Sequence, residues 1–369
     1  MKIVRLEVYA CDTTYVDGSF ELSGGRVVDR LSSTVVRLTA DDGTTGYAET
    51  CPLGTAYLPG HAAGARAAIG ELATAVLGLD PREPAVVNDR MDERMLGHGY
   101  AKSAIDVACW DLAGKAAGVP VCVLLGGRRQ ESFPLYAAIS LGAPEAMAAE
   151  IERLRQSGVR QFQLKLGTDP HEDARRVHTA LEAVGDDGVV VADANGGWRA
   201  QDAVAAARLL DRYERVYLEQ PCPTLEECLY VRRLTTLPMV LDEVIGDVAG
   251  FLRAFEAQGM DAINLKVSKI GGLTRGRQLR ELCETLGIAL TIEDTWGGDL
   301  ATAAVSHLAA STRGDALFSV SFINDFVNEH VGGYEPRSAD AIGSAPAGPG
   351  LGIDVDETLV GEPLARFEL

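Results

Sequence analysis

The sequence lacks long apolar runs, paired cysteine motifs and an excess of positive charge, and each absence excludes a class of protein. No apolar run reaches the ~18 residues that a membrane helix needs, and the N-terminal MKIVRLEVYA alternates like a strand rather than forming a signal peptide's apolar core. The seven cysteines have no CxxC spacing, which argues against a zinc site or a disulfide framework. The net charge of −19 opposes nucleic acids and anionic membranes as partners. We therefore expect a cytoplasmic protein with neither kind of partner.

Residues 1–130 are predicted to form an α+β capping domain. The stretches IVRLEVYA and STVVRLTADDGTTGYAET have the alternation of strands, with Asp42 and Gly43 supplying a turn. From about residue 62 the apolar spacing becomes helical. The segment AKSAIDVACWDLAGKAAG is predicted to be a helix that Gly118 and Pro120 end.

Residues 131–335 are predicted to form a parallel barrel of the (β/α)8 type. Short apolar runs alternate with amphipathic helical stretches; the runs are PLYAAIS, FQLKLG, GVVVADAN, RVYLEQP, PMVLDE, DAINLKV, IALTIEDT and ALFSVSF. Strand followed by helix, repeated over about 200 residues, is typical of such a barrel. A doubly wound open sheet is the alternative, but no GxGxxG motif follows an early strand. Residues 336–369 are expected to run back to the capping domain.

Ionisable residues end successive predicted barrel strands, where the functional side chains of parallel barrels collect. Strands two to seven end, in order, at Lys165, Asp193, Glu219, Asp242, Lys266 and the pair Glu293–Asp294. One strand-end charge is as often turned to solvent as used in function, but such a series favours function. The three carboxylates on adjacent strands would raise one another's pKa unless a divalent cation lay between them. Hard oxygen ligands suit Mg²⁺, so Asp193, Glu219 and Asp242 are predicted to bind it.

Lys165 and Lys266 are predicted to be opposed acid–base residues. Strands two and six are four apart in an eight-stranded ring, so the two side chains would face each other across the metal. A snorkelling Lys165 is the alternative, but a nearby cation lowers the pKa of a lysine and lets it act as a base near neutral pH. One lysine could remove an α-proton from a carboxylate substrate while the other delivers a proton to the opposite face. Mg²⁺ would stabilise the charge that develops on the carboxylate.

On these residues the sequence resembles the enolase superfamily, in its muconate lactonising enzyme subgroup. The resemblance covers essentially the whole chain, including GPGLGI near its end, and implies a modified (β/α)7β barrel with an N-terminal cap. It implies Mg²⁺ on the three carboxylates, Lys165 as the second residue of a Lys-x-Lys motif, and Lys266 in NLKVSKIGG as the second base. Gln163 departs from the subgroup, which has a lysine there. If the first lysine of the motif helps to lower the pKa of the second, Lys165 must receive that help from Mg²⁺ or another group.

A narrower resemblance, to enzymes that act on proline derivatives, lies in DGSFELSGG, CPLGTAYLPGH, GYAKSAIDVACWD, FQLKLG and IEDTWGGD. It implies a small amino-acid-like substrate and dehydration of cis-3-hydroxy-L-proline, with epimerisation or racemisation of proline betaine, hydroxyproline betaine or a related amino acid as the alternative. Glu293 or Asp294 could face the cationic ring nitrogen, and Trp296 could offer a cation–π surface. Further substrate-binding candidates are Tyr15 and Tyr57 in N-terminal loops, which in this family close over the barrel, and Asn324 near its mouth.

Two alternative functions and the role of Asp299 remain to be weighed. A catalytically silent barrel that binds an anionic metabolite is the alternative outside the enzymes, although no base or metal ligand is lost. Lactonisation of a muconate-type diacid is disfavoured by the acids at positions 293 and 294. Asp299 fits a turn and the first turn of a helix as well as it fits a site. A homo-oligomer is expected.

Overall fold

An antiparallel sheet and a parallel barrel form the frame of the computed structural model, which describes residues 1–55 and 57–369. Ala56, inside the motif CPLGTAYLPGH, lies outside the described residues. The first part of the chain contains β1 (Ile3–Thr14), β2 (Phe20–Leu22), β3 (Arg26–Val28), β4 (Arg30–Ala40), β5 (Thr45–Thr50), α1 (Ala62–Val76), α2 (Pro84–Arg94), α3 (Gly99–Ala117) and α4 (Val121–Leu124).

Strands and helices then alternate. This part contains β6 (Phe133–Pro134), β7 (Tyr136–Ile139), α5 (Pro144–Gln156), β8 (Gln161–Lys165), α6 (Pro170–Val184), β9 (Val189–Asp193), α7 (Ala200–Leu210), β10 (Val216–Glu219), α8 (Leu225–Arg232), β11 (Met239–Leu241), α9 (Val248–Glu256), β12 (Ala262–Lys266), α10 (Val267–Ile270), α11 (Leu273–Leu286), β13 (Ala289–Glu293), α12 (Asp299–Ala310) and β14 (Leu317–Val320). The chain ends with β15 (Ile342–Gly343), α13 (Glu357–Val360) and β16 (Ala365–Glu368).

The cap is a four-stranded antiparallel sheet in the order β16-β1-β4-β5, covered by helices. The turn between β4 and β5 has Gly43 at φ 86°, as expected from the Asp-Gly pair. Helix α3 ends where the sequence predicts, because Gly118 takes the left-handed conformation at φ 69°. Strand β16 pairs with β1, so the C-terminal segment reaches the cap sheet. The domain boundaries at residues 130 and 335 stay predictions.

The barrel consists of eight parallel strands in the order β7 to β14. A parallel bridge between Leu135 and Val320 joins its first and last strands. Helices follow the first seven strands, whereas β14 is followed by a 3₁₀ turn, Ile323–Phe326. The predicted (β/α)7β barrel with an N-terminal α+β cap is therefore confirmed. Among the described residues, no helix is long and apolar enough to cross a membrane.

Two buried carboxylates of the cap bind the beginnings of barrel helices. Glu49 on β5 accepts hydrogen bonds from the backbone N–H groups of Gly298 (2.8 Å) and Ala301 (3.4 Å) at the start of α12. Asp106 on α3 accepts from the backbone N–H (3.0 Å) and the hydroxyl (2.5 Å) of Thr274 at the start of α11. Negative charge is favourable at a helix N-terminus, so these contacts fix the cap above the C-terminal ends of the barrel strands.

The packing of β5 on α3 predicts a strong effect of one small substitution. A Cβ on Gly46 would lie 2.5 Å from the carbonyl oxygen of Ala108 and 2.6 Å from Leu112 Cγ. We expect Gly46→Ala to lower the free energy of unfolding by about 1–3 kcal/mol, the usual cost of overpacking. Gly246→Ala is the matched control, since nothing lies within 4 Å of its added Cβ. Urea denaturation measures both, and equal stability of the two variants would show that this contact does not limit the packing.

Candidate active site

Strand register brings the ionisable residues side by side at one end of the barrel. Lys165 on β8 lies beside Asp193 on β9, which lies beside Glu219 on β10. Lys266 on β12 lies beside Glu293 on β13 in the same way. All five side chains are buried. Because the strands are parallel, their C-terminal ends carry the whole group.

Lys165 lies between a carboxylate and an amide. Its Nζ donates to Asp193 Oδ2 (2.5 Å) and to Gln163 Oε1 (2.8 Å). Gln163 Nε2 in turn donates to both carboxylate oxygens of Glu219 at 3.0 Å. Asn264 Nδ2 donates to Glu219 Oε1 at 2.5 Å. Glu219 is therefore held by amides from β8 and β12, the two strands that also carry the lysines.

Lys266 lies between a carboxylate and a tyrosine of the cap. Its Nζ donates to Asp242 Oδ2 (2.5 Å) and to the Tyr57 hydroxyl (2.5 Å), and lies 3.5 Å from Glu293 Oε1. The Tyr57 hydroxyl donates to the same Asp242 oxygen at 3.0 Å. Lys269 Nζ donates to Asp242 Oδ1 at 2.9 Å. Two ammonium groups thus neutralise Asp242, and the Tyr57 loop closes over Lys266.

The surrounding carboxylates raise the pKa of both lysines. Burial lowers the pKa of Lys165, but the negative charges of Asp193 and Glu219 outweigh it. At Lys266 burial again lowers the pKa, but the negative charges of Asp242 and Glu293 outweigh it. The pKa of Lys266 therefore lies well above its usual value. The lowered pKa that the sequence predicts for Lys165 depends on the charge of a nearby cation and stays a prediction. The carboxylates that contact the ammonium group act in the opposite direction.

The carboxylates themselves are shifted in different directions. Burial, followed by the charge of Asp193, raises the pKa of Glu219 well above its usual value. Burial and the charge of Asp242 raise the pKa of Glu243 to about 7. Burial would also raise the pKa of Asp242, but Lys266 and Lys269 outweigh it and the pKa falls below its usual range. Negative charge is therefore least compensated around Glu219 and Glu243.

The three predicted metal ligands follow adjacent strands but do not form a ready-made metal site. Across residues 1–55 and 57–369, no three His, Cys, Asp or Glu side chains are grouped as metal ligands. Ammonium groups contact Asp193 and Asp242, and amides contact Glu219. The donor set nevertheless fits a hard divalent cation, since it offers buried carboxylate oxygens. Glu243 Oε2, buried beside them, has no hydrogen-bond partner among the described residues.

Both lysines open into one cavity between the cap and the barrel. Its polar wall includes Gln163, Lys165, Lys266, Glu293, Tyr57 and Tyr136. Its apolar wall includes Phe20, Leu22, Leu53, Trp296, Ile323 and Phe326. The cap contributes Phe20, Leu22, Leu53 and Tyr57, which close the cavity over the barrel strands. A small molecule bound there would have ionisable groups on one side and an apolar surface on the other.

Asp294 and Glu293, the acids predicted to bind substrate, differ in the hydrogen bonds that their carboxylates already accept. Asp294 lines the cavity, but its oxygens accept from the backbone N–H and hydroxyl of Ser268 and from the backbone N–H of Thr295. Burial raises its pKa to about 7. Both oxygens of its carboxylate are therefore occupied by contacts between two loops, and direct substrate binding by Asp294 stays a prediction. Glu293 lies at the cavity wall, where the Tyr136 hydroxyl donates to it.

Of the remaining candidates, Trp296 and Tyr57 line the cavity, whereas Tyr15 and Asn324 lie behind it. Tyr15 packs against the rings of Phe20 (5.5 Å between centroids) and Trp296 (6.0 Å), so it supports the apolar wall. Asn324 is fully buried and donates to Asp299 Oδ1 (3.0 Å) and to a backbone carbonyl. Their predicted direct contact with substrate is therefore not supported by their positions.

Asp299 belongs to the framework rather than to the cavity. It is the first residue of α12, as the turn hypothesis expected. Its carboxylate accepts from Asn324, from His330 Nδ1 (3.0 Å) and from the backbone N–H groups of Gly332 (2.8 Å) and Tyr334 (3.2 Å). It thereby fixes the segment that follows the last barrel strand.

Sequence reasoning missed several polar residues of the site, and a period-2 signal would have found one of them. Asn264 stands two residues before Lys266 on the same strand, so the two side chains share a face, as those of Gln163 and Lys165 do. Tyr136 begins the first strand rather than ending it, and no strand-end rule selects it. Lys269 follows Lys266 by three residues on α10, a spacing that turns both side chains toward Asp242.

Two family descriptions match the chain. "Mandelate racemase / muconate lactonizing enzyme, N-terminal domain" matches residues 10–126, and "Enolase C-terminal domain-like" matches residues 146–359. The chain belongs to the mandelate racemase/muconate lactonizing enzyme family. The resemblance to the enolase superfamily is thereby confirmed, and both the cap and the barrel belong to the same family.

Relatives within the mandelate racemase/muconate lactonizing enzyme family match over nearly the full length. The cis-3-hydroxy-L-proline dehydratase of Roseibium aggregatum is 44% identical over 100% of both chains. The N-succinyl-L-Arg/Lys racemase of Bacillus cereus is 29% identical over 98% of both chains. A solved mandelate racemase/muconate lactonizing enzyme of Roseovarius nubinhibens, complexed with magnesium, superposes with a TM-score of 0.96 at 34% identity over 100% of both chains.

Proposed function

We propose that the protein abstracts the α-proton of a proline-type carboxylate and, with Mg²⁺, dehydrates cis-3-hydroxy-L-proline to Δ1-pyrroline-2-carboxylate. The observation that carries this proposal is a pair of lysines on β8 and β12 that open into one cavity. In the ring of eight strands, three strands separate β8 from β12 in either direction, so the amines approach a bound substrate from opposite sides. The full-length relative that is a cis-3-hydroxy-L-proline dehydratase supports the choice of substrate.

Mg²⁺ would be held by Asp193, Glu219 and Asp242. Support comes from their position at the ends of three adjacent strands, from the buried oxygen donors, and from Glu243 Oε2, which lies buried beside them without a hydrogen-bond partner among the described residues. When bound, Mg²⁺ would supply positive charge to the substrate carboxylate as the α-proton leaves. To bind it, Asp193 and Asp242 would exchange their contacts with Lys165 and Lys266.

The two lysines would carry the proton transfers. In cis-3-hydroxy-L-proline the hydroxyl and the carboxylate share one ring face, so the Cα hydrogen lies on the face opposite the hydroxyl. One lysine takes the Cα proton, and the electron pair of the C–H bond forms the C2–C3 double bond. The C3–O bond breaks as the other lysine donates a proton to the hydroxyl, which leaves as water. The resulting enamine then tautomerises to the cyclic imine.

The cavity suits a small ring with a cationic nitrogen. Phe20, Leu22 and Trp296 offer an apolar surface for the methylene groups of the ring. Glu293 would face the ring nitrogen, because its carboxylate lies at the cavity wall and Asp294 is engaged elsewhere. Trp296 would add a cation–π contact. The proposal further includes a cytoplasmic location and a homo-oligomer.

Epimerisation is the second candidate. A substrate without a 3-hydroxyl has no leaving group, so the same lysine pair would remove the α-proton from one face and return a proton to the other. The full-length relative that is an N-succinyl-L-Arg/Lys racemase favours this candidate over others. Glu293 and the apolar wall would accept a betaine nitrogen as well as a ring ammonium group.

Proton NMR of the reaction mixture distinguishes the two candidates. With Mg²⁺ and cis-3-hydroxy-L-proline we expect the substrate signals to disappear and those of Δ1-pyrroline-2-carboxylate to grow. Proline betaine should show at most slow loss of its Cα proton signal in D₂O. Inversion of the betaine without any dehydration of the hydroxyproline would replace the dehydratase by the epimerase.

A further inference from the structure

We propose that Gln163 is a positioning residue, which ties Lys165 to Glu219 and thereby sets the reach of the proton-transfer group on one face of the substrate. The inference rests on the proposed function and deepens it. Gln163 is 6% exposed, and its amide is used at both ends. Its oxygen accepts from Lys165 Nζ at 2.8 Å, and its nitrogen donates to the two oxygens of Glu219 at 3.0 Å each.

The chemistry of an amide suits this position. An amide has an acceptor and a donor on one rigid plane, so it can satisfy an ammonium and a carboxylate at the same time. A lysine at this position could donate to Glu219, but it would have no acceptor for Lys165. Gln163 therefore holds Lys165 by a hydrogen bond, where a second ammonium group would repel it.

Lys266 is not linked to Glu219 by an amide in this way among the described residues. Asn264 stands two residues before Lys266, as Gln163 stands two residues before Lys165, and its amide nitrogen also donates to Glu219. Lys266 instead donates to Tyr57 and Asp242. Gln163 thus forms hydrogen bonds with both Glu219 and Lys165, whereas Asn264 donates to Glu219 and forms no such bond with Lys266 in the described part of the chain. The two amides form a matched pair for an experiment.

Loss of the Gln163 amide should affect proton transfer on one face of the substrate only. L-Proline and D-proline present the Cα hydrogen to opposite sides of the cavity, so their hydrogen–deuterium exchange in D₂O reports the two lysines separately. Gln163→Met, which keeps the side-chain length, should lower the kcat of dehydration by roughly 10- to 100-fold, the cost of misplacing a reacting group. KM should stay within about threefold, and the ratio of the two exchange rates should shift by at least ~10-fold, because only Lys165 loses its anchor.

A further variant separates positioning from a general loss of structure. Asn264→Leu should slow both faces together and leave the exchange ratio within about twofold of the wild-type ratio, since it acts on Glu219 alone. An unchanged ratio in Gln163→Met, or a ratio that shifts as far in Asn264→Leu as in Gln163→Met, would overturn the assignment. A wild-type enzyme that neither dehydrates the hydroxyproline nor exchanges either proline would instead refute the proposed function.

Discussion

Replacing Lys165 or Lys266 by alanine is expected to slow the dehydration of cis-3-hydroxy-L-proline by at least ~10²-fold, the scale of general acid–base catalysis. Both amines line the same cavity from opposite strands, and among the described residues no third lysine lines it that could take over either face. Lys269 contacts Asp242 but does not line the cavity. Each single variant therefore removes one of the two proton transfers that elimination requires.

The two lysine variants should differ in the exchange that they retain. Each should still exchange the Cα hydrogen of one proline enantiomer in D₂O, and the retained enantiomer should be opposite in the two variants. Lys102→Met is the control, because Lys102 is a buried lysine paired with Asp92 on the cap, away from the cavity. It should change stability but not the turnover of the folded enzyme. Near-normal turnover in both alanine variants would rule out the two-lysine account.

Removal of divalent cations is expected to abolish turnover, and added Mg²⁺ should restore it. A cation contributes several kcal/mol of charge stabilisation, so Glu219→Gln should cost about 10²-fold or more in kcat/KM. Glu219 is the strongest choice among the three carboxylates, because neutral amides contact it, whereas ammonium groups contact Asp193 and Asp242.

The control for the metal experiment is a buried carboxylate outside the site. Asp111 on α3 is 2% exposed and binds Lys115 and two backbone N–H groups. Asp111→Asn should lower stability while leaving the Mg²⁺ concentration for half-maximal activity unchanged. Isothermal titration of each variant with Mg²⁺ gives the same comparison without turnover. Full activity of the wild type after exhaustive chelation would exclude the proposed role of the cation.

The sequence predicted the barrel and the positions of its strand-end residues because both follow from local pattern. Apolar runs followed by charged residues define the strands and their C-terminal ends, and parallel register then brings Lys165, Asp193 and Glu219 together without further information. The end of α3 followed from Gly118 and Pro120. These features need no knowledge of distant contacts.

Contacts between loops could not be predicted in this way. The carboxylate of Asp294 joins Ser268, which follows a different strand, so its orientation depends on how two loops pack. Tyr15 was expected in a loop that closes over the barrel, and Asn324 near the barrel mouth. Tyr15 instead packs against Trp296, and Asn324 donates a hydrogen bond to Asp299. The direction of the pKa shift of Lys165 likewise depends on which charges contact its amine.

The stereochemistry of elimination tests the central claim most directly. Opposed lysines can remove the Cα proton and protonate the hydroxyl only when these groups lie on opposite ring faces, as in cis-3-hydroxy-L-proline. In trans-3-hydroxy-L-proline both lie on one face, which a single lysine would have to serve. With the two isomers at equal concentration in one Mg²⁺-containing sample, proton NMR should show water loss from the cis isomer and, after its complete conversion, an essentially unchanged trans isomer. Equal consumption of both isomers would contradict an anti elimination by two lysines on opposite sides of the cavity.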